Sequence, residues 1–108
     1  PTCSQTQQIL EELTSLSPIL ELEVVDFYGQ SQRSQDSGVE RIPAIVMAKG
    51  GAGSNVKYYG TPSGYEFVTI IEDLIAMSQP RSPLSADTRK ELKLVDEDVH
   101  IQVFVTPT

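Results

Sequence analysis

The spacing of apolar residues switches repeatedly between a helical and a strand period, with proline or glycine near most switches, so the chain reads as a series of short alternating elements. Ile9, Leu10, Leu13 and Leu16 fall at helical spacing between residues 4 and 16, with Gln7, Gln8, Glu11, Glu12 and Ser15 on the other face, and Pro18 stops the helix. Residues 20–27 alternate and then become apolar, which predicts a strand more buried toward Phe27. The polar stretch 28–40, rich in Gln and Ser with Gly38 near its end, reads as a loop with one weak helical turn.

The run Ile42-Pro43-Ala44-Ile45-Val46-Met47 predicts a strand headed by proline, where a missing N–H is tolerated. Residues 49–55 supply a longish turn, and Val56-Lys57-Tyr58-Tyr59 the returning strand of an antiparallel hairpin. Thr61 is placed to cap a helix with Pro62 at its first position, and Phe67, Ile70, Ile71, Leu74 and Ile75 form its apolar stripe. The expected organisation is a unit over 1–78, a linker at 79–84 containing Pro80 and Pro83, and a helix capped by Ser85 plus a strand at Val99–Val105 within 85–108.

Composition narrows the function. Leu, Ile, Val and Phe exceed a fifth of the 108 residues, above the ~20% below which chains tend to stay disordered. A net charge of -7 repels phosphate backbones and anionic membranes, so neither nucleic acid nor membrane is an expected partner. With one Cys and one His, an internal disulfide and a Cys/His zinc cluster are both out of reach, and no metal or cofactor is expected. The Gly50-Gly51-Ala52-Gly53 turn lacks the following Lys-Ser/Thr of a phosphate cradle. Asp26 is open to a proton-relay role or to a solvated strand end, His100 has no partner placed beside it, and Glu91, Asp96, Glu97 and Asp98 form an acidic surface.

A helix opening with Cys3, a strand, an Ile-Pro dipeptide heading a hairpin and a closing helix follow the order of a thioredoxin fold entered after its first strand. The chain resembles the protein disulfide oxidoreductases of thermophiles, glutaredoxin-like proteins with a double thioredoxin fold. The resemblance rests on Leu22-Glu23-Val24-Val25-Asp26-Phe27, Arg41-Ile42-Pro43-Ala44, residues 57–67 (Lys-Tyr-Tyr-Gly-Thr-Pro-Ser-Gly-Tyr-Glu-Phe), Ile71-Glu72-Asp73, Val95 to Val99 and Val103-Phe104-Val105-Thr106-Pro107-Thr108. It implies an α/β thioredoxin-like fold, a central mixed sheet flanked by helices, and thiol–disulfide exchange on protein or small-molecule disulfides; separately, no basic-then-apolar signal peptide opens the chain, so a cytoplasmic location is expected. The resemblance also implies Cys3 as the reacting thiol, a cis-proline at Pro43, and substrate contacts from Ile42, Pro43 and Thr2. In that family the last six residues lead into the Cys-x-x-Cys of a second unit, so the chain, which begins with Pro1, reads as processed or as a piece of something longer. Cys3 fits the second cysteine of such a motif; the other alignment makes it the first, with Thr6 in the second position. The tandem thioredoxin-like region of the alkyl hydroperoxide reductase flavoprotein subunit is similar in architecture.

A cysteine at a helix start faces unsatisfied N–H groups and the positive end of the helix dipole, which favours the attacking thiolate. The alternative is a redox-inert module in which Cys3 is structural and the domain docks a partner or supports a second thioredoxin-like unit. A thioredoxin core also needs a strand before the cysteine helix. The strand at Val99–Val105 is the candidate to fill that position, from its own chain or by swapping in a homodimer.

Overall fold

The computed structural model describes residues 2–106 and shows a mixed α/β chain. Its elements run α1 (Thr2–Thr14), α2 (Ser31–Ser37), β1 (Ala44–Lys49), β2 (Ala52–Tyr59), α3 (Tyr65–Ser78) and α4 (Ala86–Leu92). They divide into two compact units, one ending at Ser63 and the other beginning at Gly64.

In the first unit, α1 buries Thr6 and Leu13 and half-buries Ile9 and Leu10. These positions recur at three and four residues and make one face of the helix. The face starts a turn earlier than the apolar pattern alone indicates, and Leu16 falls beyond the helix, 80% exposed. The last turn closes through side chains, with the Thr14 hydroxyl donating to the Leu10 carbonyl at 2.9 Å and that of Ser15 to Glu12 at 2.6 Å.

Residues 20–26 join no ladder, which corrects the expected strand there. A strand persists only where a neighbour satisfies its N–H and C=O groups, and β1 and β2 pair with each other. The segment ends in a turn held by Asp26, whose carboxylate accepts from the Tyr28 N–H at 3.1 Å while the Gln30 side chain accepts from the Asp26 N–H at 3.0 Å. Two full turns of helix follow as α2, where one weak turn is expected. Gly38, at φ 74°, ends it by donating to the Gln35 carbonyl while Val39 donates to that of Ser34, a left-handed cap suited to glycine.

The hairpin is tighter and longer than its sequence suggests. Lys49 pairs with Ala52, leaving Gly50 and Gly51 as a two-residue connection with φ of 61° and 84°. That is the backbone hand that suits twisted strands. Farther along, Val46 faces Lys57 and Ala48 faces Gly53, a register shift accommodated around Ser54–Val56. Ile45 and Met47 are buried on one face, and Tyr58, opposite Ile45, shares it. The Tyr58 hydroxyl is buried without a hydrogen-bond partner among the described residues.

In the second unit, α3 buries Ile70 almost completely and half-buries Phe67, Ile71, Leu74 and Met77. It begins at Tyr65 after Gly64, not at Pro62 under a Thr61 cap. The Thr61 hydroxyl is engaged elsewhere, and Gly64 at φ 63° turns the chain into the helix. Ser85 caps α4 by accepting from the Thr88 N–H at 3.2 Å, as its position indicates. Residues 95–106 carry no strand ladder, and Val99, Ile101, Val103, Phe104 and Val105 are exposed. The structure thus does not place Val99–Val105 in a sheet of its own chain.

The glycine turn yields a clean test. A Cβ at Gly51 or at Gly53 would meet no atom within 4 Å, yet only Gly51 has positive φ. Gly51→Ala should cost about 1 kcal/mol through backbone conformation alone, and Gly53→Ala should stay within about 0.5 kcal/mol of the parent, both read by urea unfolding.

Candidate functional site

Cys3 stands exposed in the first turn of α1. Thr6, one turn on and on the same side of the helix, is 5% exposed and donates its hydroxyl hydrogen to the Thr61 hydroxyl at 3.2 Å. A buried hydroxyl needs such a partner, since an unmet one costs roughly 1–3 kcal/mol. The bond fastens the start of α1 to the segment leaving β2.

That segment is fastened in turn to the head of β1. The Gly60 N–H donates to the Pro43 carbonyl at 2.9 Å, continuing the hairpin one step past Ala44 and Tyr59. Gly60 has φ 100°, a conformation open to glycine and strained for other residues. The Ile42–Pro43 peptide is cis, as expected; Pro43 is half-buried and Ile42 41% exposed. Two contacts hold the approach to this bend. The Glu40 N–H donates to the Tyr59 hydroxyl at 3.3 Å, and the Arg41 guanidinium lies 4.1 Å from the centroid of the Tyr59 ring, within cation–π range.

Cys3 and the Ile42–Pro43 bend are therefore linked through Thr6, Thr61 and Gly60. Thr2 opens α1, but its side chain lies outside what the structure describes. The sequence pattern offers Thr61 only as a helix cap and marks no role for Gly60. A threonine seven residues before buried Leu13 on an apolar helix face is the signal for a buried polar pair, although nothing in the sequence names its partner.

The other singled-out residues stand apart. Asp26 is exposed and its carboxylate holds the Tyr28 turn, so a relay role has no geometric support. His100 is exposed, as are Glu91, Asp96, Glu97 and Asp98. Among the described residues no group of three or more His, Cys, Asp or Glu could hold a metal ion, and no helix is long and apolar enough to cross a membrane. Arg33 bonds Glu23 at 2.8 Å, and that hydrogen bond and charge raise its pKa above the ordinary value. Both side chains are more than half exposed, so the pair adds little to stability.

The site thus offers an accessible thiol on a helix start that is joined, through Thr6 and Thr61, to the segment bonded to Pro43. The sequence matches no family model and no curated protein with which it was compared.

The Thr6–Thr61 bond should appear as a coupling energy. In a double-mutant cycle with Thr6→Val and Thr61→Val, urea unfolding should give about 0.5–1.5 kcal/mol between the two sites. A coupling near zero would mean that the hydroxyls do not hold the two segments together.

Proposed function

We propose that this chain is a thioredoxin-fold thiol–disulfide exchange domain in which Cys3 reacts with substrate disulfides beside the Ile42–Pro43 bend. The observation that carries the reading is the tether from the first turns of α1, through Thr6 and Thr61, to Gly60 and the Pro43 carbonyl. Element order supports it as well. A cysteine-bearing helix, the segment 20–27, the hairpin and α3 follow one another as in a thioredoxin core entered after its first strand.

The Cys3 thiolate attacks one sulfur of a substrate disulfide. A Cys3–substrate disulfide forms, the substrate S–S bond breaks, and the departing sulfur leaves as a thiolate that takes a proton from solvent. A second thiolate, its proton lost to solvent, then attacks the substrate sulfur of the mixed disulfide; a new disulfide joins the two, the Cys3–substrate bond breaks, and Cys3 leaves as the reduced thiolate while the second thiol is oxidised. Cys3 is the one cysteine here, so the second thiol comes from another molecule or from a further segment bearing a cysteine.

Exposure of Cys3 favours exchange over a structural thiol. On this reading Ile42 and Pro43 shape the peptide groove, and Thr2 adjoins it. The domain serves the cytoplasm of a thermophile, where intracellular disulfides occur, and its partners are protein or small-molecule disulfides and a second thioredoxin-like unit.

The test uses an aromatic disulfide reagent. Cys3 should form its mixed disulfide about tenfold faster in the folded chain than in the same chain unfolded by urea, and Cys3→Ser should abolish the reaction. Equal or slower reaction in the folded chain would favour the redox-inert reading.

A further inference from the structure

Two parts of the chain have strand chemistry without a strand partner. Among the described residues β1 pairs with β2 alone in a two-stranded sheet, so the outer edge of β1 presents N–H and C=O groups with no ladder partner. Residues 99–105 alternate Val99, Ile101, Val103 and Val105 with His100, Gln102 and Phe104, sit in no ladder, and leave Ile101, Val103 and Phe104 about 80% exposed. We propose that residues 99–105 of one copy add to β1 of a second copy as an antiparallel third strand, giving a reciprocal strand-exchanged dimer.

Side-chain alternation fixes the register. Pairing Val103 with Ile45 and Ile101 with Met47 sets the four β-branched residues on the face where Ile45 and Met47 are buried. A slip of one residue would turn His100, Gln102 and Phe104 inward instead. Charge fixes the direction. Asp96-Glu97-Asp98 immediately precede the strand, and antiparallel addition brings them beside exposed Lys49 and the Gly50–Gly51 turn. Parallel addition would carry them to the other end of β1, where exposed Glu40 adjoins Arg41 and offsets its charge. In a chain of net charge -7, this meeting of an acidic run with a lysine favours a second copy where repulsion would otherwise dominate. The exchange is isologous, since each copy gives the strand it receives. It does not depend on the chemistry of Cys3.

The experiment uses the whole chain carrying Cys3→Ser, so that no disulfide through Cys3 can mimic association. Sedimentation should show a concentration-dependent dimer. Gln102→Pro removes a ladder N–H, since Gln102 faces Val46, whose own N–H and C=O point away from β2, and should give a monomer with the parent's helical circular dichroism. Chains carrying Gln102→Cys, mixed with chains carrying Val46→Cys and then oxidised, should form the mixed disulfide between copies. A parent that is monomeric at every concentration would overturn the proposal, including one whose residues 99–105 are protected from hydrogen exchange within their own chain. A dimer that survives Gln102→Pro, or that links Gln102→Cys only to itself, would overturn it equally.

Discussion

The hydroxyl bond between Thr6 and Thr61 is the constraint on which the candidate site depends. It joins a helix and a loop separated by more than half of the chain, and it does so at a buried position, where a polar group must be met. It adds a direct tie between α1 and the segment leaving the hairpin to the long covalent connection from Ser15 to Pro43. With it, the turn that carries Cys3 and the bend at Ile42–Pro43 belong to one arrangement.

The hairpin gives that arrangement a firm base. Gly50 and Gly51 supply the turn, and Ile45, Met47 and Tyr58 supply the buried face. Gly60 then extends the pairing to Pro43 and delivers Thr61 to Thr6. Arg41 and Tyr59 act from the other face, since side chains alternate along the strands, and they hold the backbone just ahead of Ile42. Backbone pairing, a cation–π contact and one hydroxyl pair thus converge within a few residues of the bend.

Much of this was legible in the residues. Helical periodicity located α1 and α3, Ser85 announced α4, and an apolar run followed by glycines and a second run announced the hairpin. Local chemistry decides such features, so a sequence reveals them. The failures share a different cause. Residues 20–27 and 99–105 have the composition of strands, but pairing depends on a partner that no local pattern can guarantee. Thr61 looked like a cap because its neighbours Pro62 and Gly64 are helix punctuation, and only the fold shows its hydroxyl joined to Thr6. For the candidate site, Cys3, Ile42 and Pro43 are singled out by the resemblance; the tether that links their segments is not, because it spans elements distant in sequence.

The measurement that bears most directly on this account uses Cys3 as a single attachment point for a nitroxide spin label. If the tether is right, paramagnetic broadening should reach the amides of Ala44, Gly60 and Thr61 as strongly as those in the second turn of α1. Amides of Gly50 and Gly51, about 20 Å away along the six-residue strand β1, should be much less affected. Broadening confined to α1, with Ala44, Gly60 and Thr61 as sharp as the glycine turn, would contradict the account.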